Sequence, residues 1–160
     1  MTGPWLSATI AGMTSVRRVL FLCTGNYYRS RYAHILFNHY AGKANLHWVA
    51  DSRALAIELG ACNIGPVSKY VLEAMSSRGL ECTSTARLPI GCQTTDLMSA
   101  DKVIALKEAE HRPYLRQKFP DWEDRVTYWH VHDLDKSGPA EALALIERRV
   151  IELVEELGRP

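Results

Sequence analysis

Residues 17–40 read RRVLFLCTGNYYRSRYAHILFNHY, and this stretch decides the fold. Val19-Leu20-Phe21-Leu22 is a short apolar run of strand-forming residues, followed closely by Gly25 and Asn26. From Ser30 onward, Tyr32, Ala33, Leu36, Phe37 and Tyr40 recur at helical spacing. Ser30 stands where an N-cap belongs. The pattern predicts a buried strand, a tight loop and a helix. Thr24 to Arg29 then lie between the strand's carboxyl end and the helix's amino end.

That placement has chemical consequences. The first turn of a helix leaves backbone N–H groups unpaired, and the helix dipole adds partial positive charge. Successive N–H groups feeding such a turn cradle an anion. Thr24, Gly25, Asn26, Tyr27, Tyr28, Arg29 and Ser30 are therefore the candidate phosphate-binding set. Gly25 and Asn26 are residue types that tolerate positive φ. Arg29 adds a planar guanidinium able to hold two phosphate oxygens. Cys23 lies at the mouth of this positive field, where a thiol is expected to give up its proton readily and attack phosphorus. The bland alternative is a core cysteine followed by a surface arginine. The strand before and the helix after favour the functional loop.

Cys23-Thr24-Gly25-Asn26-Tyr27-Tyr28-Arg29-Ser30 resembles the active-site loop of the low-molecular-weight protein tyrosine phosphatases. The resemblance runs from about Arg17 to the C-terminus, through Trp129-x3-Asp133 and a final amphipathic helix. It implies a three-layer α/β/α fold with a four-stranded parallel sheet, of the phosphotyrosine protein phosphatase I type (Rossmann- or flavodoxin-like). It also implies a phosphomonoester hydrolase working through a cysteinyl-phosphate, with no metal and no cofactor. The catalytic set would be Cys23 as nucleophile, Arg29 as phosphate clamp and Asp133 as acid, with Asp135 as runner-up acid. Substrates would be phosphorylated proteins or small phosphomonoesters, phosphotyrosine by default, and the protein a monomer or weak dimer.

Several positions depart from the family. Leu134, Asp135 and Lys136 follow Asp133 where proline and aromatic residues are usual. Tyr28 replaces a second cysteine that can pair with the nucleophile, so local protection from over-oxidation is expected to be lacking. Arg53 stands where a small residue is usual. A supporting histidine and a later aspartate align with Ser84 and Lys107. Tyr27, Tyr28 and Tyr32 are candidate aromatic walls, with Tyr32 favoured as core.

Totals bound the rest. A chain of 160 residues with 47% apolar content suits one soluble domain, expected over residues 16–160 after an extension over 1–15. A formal charge of +1 implies no general attraction to nucleic acid or membrane. The extension makes a poor signal peptide. Four cysteines without a paired framework suggest a cytoplasmic setting. Further strands are expected at His47–Ala50, Lys102–Leu106 and Val126–Val131, and helices at Val67–Ser77, Ala109–Phe119 and Pro139–Leu157, with short turns near 54–59 and 95–98. Alternating strands and helices imply a parallel sheet covered on both faces, with the ligand beyond the strands' carboxyl ends.

Other features compete. His130-x-His132 beside Asp133 offers a weak metal-ligand spacing. Glu108, Glu110, His111 and Arg112 read as a solvated face. A thioredoxin-coupled arsenate reductase would need two further cysteines after the third strand, and Lys107–Pro120 has none. A non-catalytic phosphate-binding module is the rival from another class. A P-loop NTPase is excluded by the missing Gly-Lys-[Ser/Thr].

Overall fold

Alternation along β1 (Arg17–Cys23) sorts the core into two faces. Val19, Phe21 and Cys23 point to one side, and Leu20 and Leu22 to the other. Both faces are covered, so the strand reads as a continuous apolar run, as expected for the centre of a parallel sheet. Fully buried Phe21 and Leu22 each contribute about 1.5–3 kcal/mol of transfer free energy. The computed structural model describes residues 15–80, 86–133, 136 and 138–160. Residues 1–14 of the expected extension, together with Ser84 and Asp135, lie outside the described residues.

β1 pairs in parallel with β2 (Trp48–Ala54) and β3 (Lys102–Ala105), and β3 pairs with β4 (Thr127–Tyr128), giving the order β2-β1-β3-β4. Helices α1 (Arg29–Lys43), α2 (Lys69–Ser77) and α5 (Pro139–Leu157) share the core cluster on the Phe21 face. Helices α3 (Thr94–Ser99) and α4 (Glu108–Lys118) close the Leu22 face through Leu97 and Leu115. The result is the expected three-layer α/β/α arrangement. The chain leaves β1 toward β2 and returns to β3 on the other side, so β1's carboxyl end is the switch point where ligands bind. Helix α5 begins with Pro139 after Gly138 and buries Ala142, Leu143, Ile146, Val150, Leu153 and Val154.

Three local differences matter. The second strand runs on to Ala54, because Asp51, Ser52 and Arg53 find partners that let polar residues stay in register beside Leu20–Leu22. The turn expected at 54–59 contracts to a 3₁₀ turn, Ile57–Gly60. The fourth strand is regular only over Thr127–Tyr128. Beyond it the backbone still bonds to β3, with Trp129 N to Ala105 O at 2.9 Å and Val131 N to Leu106 O at 2.8 Å. This extended tail delivers Asp133 to the mouth of the β1 loop.

Candidate active site

Ser30 does not cap α1. The helix starts one residue earlier, at Arg29, with Tyr28 at the cap position and no side-chain cap bond. The Ser30 hydroxyl lies 2.9 Å from Cys23 Sγ instead, both groups being buried. Asn26 Nδ2 donates to the same Ser30 oxygen at 2.9 Å. A hydroxyl that accepts from an amide is free to send its own hydrogen to sulfur. Ser30 is thus oriented as a donor to Cys23.

The loop has the shape of a cradle. The carbonyls of Cys23, Thr24, Tyr27 and Tyr28 accept from Leu55, Ala56, Ser68 and Tyr32. Among the described residues, the N–H groups of Thr24 to Arg29 donate to no protein acceptor. Carbonyls bonded to the surrounding protein and amides without protein acceptors are what an oxyanion cradle requires. Asn26 supplies the left-handed turn, with φ of +51°. Gly25 is not left-handed, contrary to expectation; a Cβ there would meet only Asn63 Nδ2, at 3.7 Å.

A floor lies behind the cradle. Arg31, fully buried, donates to Pro66 O at 3.1 Å and Arg87 O at 2.9 Å. Arg87 Nη1 and Ile90 N donate to Asn26 Oδ1 at 3.1 and 3.2 Å, which fixes the amide so that its NH2 faces Ser30. Arg87 Nη2 reaches Ser52 Oγ at 3.1 Å, and His34 Nδ1 lies 3.0 Å from the same oxygen. Burial pushes His34 down to about 4, against the opposing pull of Asp51. Arg87 thus supports the loop.

The wall on the β3 side corrects the reading of Glu110 and His111 as solvated. Helix α4 starts just after β3, the strand next to β1, so its first turn faces the loop. Arg29, 2% exposed, gives Nη2 to Glu110 Oε1 at 2.7 Å and Nη1 to Glu110 Oε2 at 2.9 Å and Val131 O at 3.1 Å. Burial opposes the charge on Arg29, but Glu110, Cys23 and Asp133 outweigh it and raise its pKa. Thr24 Oγ1 donates to Glu110 Oε1 and lies 3.2 Å from Nε2 of the fully buried His111. Glu108 and Arg112 do pair on the outer side, as a solvated face should.

Asp133 Oδ2 lies 3.6 Å from Arg29 Nη2, and its side chain is 45% exposed. Cys23, Thr24, Gly25, Tyr27, Tyr28, Arg29 and Asp133 therefore share one cleft of about 340 Å³, closed on the far side by Leu59, Gly60 and Asn63. Tyr28 lines the cleft within the field of Asp133, and burial together with that charge pushes it up to about 12. Tyr32 is core. Cys62 is exposed beside Asn63, and Cys92, half-buried, is pushed up to about 12 by burial and by Asp96. His130 and His132 are exposed, and no cluster of three metal-ligating side chains occurs among the described residues. Arg31, Arg87, Glu110 and His111 escaped sequence reasoning. Glu110 and His111 open the helix after β3, but that their turn faces the loop follows from the pairing of β3 with β1, which local sequence does not carry.

Known proteins share this fold. The sequence profile of the low molecular weight phosphotyrosine protein phosphatases matches residues 18–160. No curated protein sequence matches the chain. Among solved structures, YfkJ from Bacillus subtilis is 25% identical, with TM-score 0.73 over 91% of this chain and 97% of its own. A low molecular weight protein tyrosine phosphatase from T. tengcongensis is 23% identical, with TM-score 0.69 over 88% and 97%. A YwlE mutant from Bacillus subtilis is 19% identical, with TM-score 0.73 over 89% and 99%. The chain belongs to the low molecular weight phosphotyrosine protein phosphatase family, and its activity is phosphoester hydrolysis through a cysteine nucleophile.

Proposed function

We propose that Cys23 is that nucleophile, Arg29 the phosphate clamp and Asp133 the general acid, acting on phosphotyrosine in proteins or on small aryl phosphates. The thiolate of Cys23 attacks phosphorus in line, and the bond to the leaving oxygen breaks as Asp133 passes it a proton. Water then attacks the cysteinyl-phosphate, giving its proton to the Asp133 carboxylate, and sulfur leaves with its electron pair. The amides of Thr24 to Arg29 and the guanidinium hold the three equatorial oxygens in both steps. Ser30 donates to the sulfur and improves it as a leaving group.

One observation carries this reading: the 2.9 Å approach of Ser30 Oγ to Cys23 Sγ at the base of a loop whose amides have no protein acceptors among the described residues. Tyr27 and Leu59 line the cleft and offer apolar surface to an aromatic leaving group. A cytoplasmic setting belongs to the same proposal, supported by the free thiols Cys23, Cys62 and Cys92. No helix among the described residues is long and apolar enough to cross a membrane.

Hydrolysis of p-nitrophenyl phosphate tests the assignment. Cys23→Ser is expected to abolish turnover while phosphate binding persists. Asp133→Asn is expected to slow turnover about 100-fold, the usual scale for a lost general acid. Full turnover by Cys23→Ser sinks the mechanism. Phosphate binding by wild type without turnover would favour a non-catalytic module.

A further inference from the structure

Arg29 is gripped along one edge only. Both hydrogens of Nη1 are spent, on Glu110 Oε2 and Val131 O, and one hydrogen of Nη2 goes to Glu110 Oε1. Nε–H donates to no protein acceptor among the described residues. The second Nη2 hydrogen has only Asp133 Oδ2, at 3.6 Å, beyond hydrogen-bond reach. The Nε–Nη2 edge is therefore the one left for two phosphoryl oxygens.

Glu110 is itself fixed, and the direction of every proton behind it follows. Lys107 N–H donates to His111 Nδ1 at 2.9 Å, so the neutral ring carries its hydrogen on Nε2. That N–H points at Thr24 Oγ1, 3.2 Å away. A hydroxyl accepting there sends its own hydrogen onward to Glu110 Oε1. Burial lowers the pKa of His111, which keeps the ring neutral. Burial would raise Glu110, but the nearby His111 ring and the bonds from Arg29 and Thr24 hold it well below the usual carboxylate range. A full negative charge thus sits against the phosphate clamp.

We infer that Glu110 is a positioning residue of the phosphoryl-transfer site: it turns the Nε–Nη2 edge of Arg29 toward the phosphoryl group, and its charge keeps inorganic phosphate from binding tightly. This rests on the roles proposed for Cys23 and Arg29. A carboxylate near the clamp repels a phosphate dianion in the ground state and in the product complex. The oriented guanidinium returns that cost in the transition state, where geometry counts most.

The test compares wild type, Glu110→Gln and Glu110→Asp by kcat and KM on p-nitrophenyl phosphate, competitive Ki for inorganic phosphate, and thermal melting. Glu110→Gln removes the charge; its phosphate Ki is expected to fall about tenfold and its kcat to fall about tenfold. Glu110→Asp keeps the charge but shortens the reach; kcat is expected to fall similarly, with Ki within about twofold of wild type. A purely structural role would lower the melting temperature and raise Ki in both variants, and that result overturns the inference. So do unchanged kcat and Ki. Thr24→Val guards against a Glu110 variant that fails to fold. It removes the hydroxyl that pins Glu110, and kcat should fall about fivefold; an unchanged kcat overturns the inference. Cys23→Ser runs alongside: turnover there defeats the underlying mechanism, whereas an inert Cys23→Ser with a wild-type-like Glu110→Gln defeats only the role of Glu110.

Discussion

The two sides of the phosphate cradle are built differently. On the β2 side, Arg31, Asn26, Ser52 and His34 are buried, and their bonds run mainly to main-chain carbonyls and neutral side chains. On the β3 and β4 side, the contacts join a guanidinium to two carboxylates, Glu110 and Asp133, which remain 26% and 45% exposed. The floor fixes shape and the wall sets charge. Damage to the floor should therefore cost stability and rate together, while damage to the exposed wall should cost rate alone.

Asn26→Ala is the hardest blow to the floor. The side chain that orients Ser30 disappears, and Arg87 Nη1 and Ile90 N lose their shared acceptor. Alanine must also hold a φ of +51°. Together these should lower stability by about 2–4 kcal/mol and turnover by about 100-fold. Asp133→Asn should match that rate loss with stability unchanged to within about 0.5 kcal/mol. Denaturant melts of both variants beside their kcat values decide the matter. Equal stability losses would erase the distinction between floor and wall.

Arg87→Leu is a milder test of the same side. Asn26 keeps its bond from Ile90, and Asp51 keeps Arg53, so the loop loses one support rather than all. Turnover is expected to drop about tenfold and stability by about 1–2 kcal/mol. A rate loss with no change in melting would show that Arg87 acts on charge, like the wall.

The floor and the wall also differ in how far the sequence revealed them. The strand–loop–helix around Cys23 is local, so periodicity and Gly/Asn punctuation disclosed it. Asp133 is implied by the family resemblance, counted back from the final helix, and the structure sets it 3.6 Å from Arg29. Arg87 lies in a polar stretch with no periodic signal, and only the chain's return across β2 brings it beneath Asn26. Glu110 and His111 carried helix-opening charges that normally face water. Their inward turn follows from the neighbouring of β1 and β3, a long-range pairing that no window of sequence encodes. Ser30 misled because two physical roles suit the same residue type, and the bond to sulfur won over the cap.

The smallest effect concerns acid. His34 faces Asp51 across 3.9 Å and lies within the fields of Arg31, Arg53 and Arg87, with Ser52 as its bonded partner. Its folded value of about 4 lies below the ordinary 6.5, so the unfolded chain binds the proton more readily. A depressed histidine contributes stability that is complete above pH 6.5 and drains away as pH falls toward 4. His111 shifts the same way and acts in the same direction. The carboxylates of Glu110 and Asp51 are also depressed, but their losses begin only below about pH 4.5. The upper part of that fall, the window between about pH 6.5 and 4.5, therefore belongs to the two histidines. His34→Asn keeps a group that can bond Ser52 and cannot titrate. It should flatten the decline in that window by about 1–2 kcal/mol, read as melting temperature against pH. A variant whose curve parallels wild type from pH 7 to 4 would mean that the floor takes up this proton without strain, and the contrast with the wall would then rest on the Asn26 and Arg87 results alone.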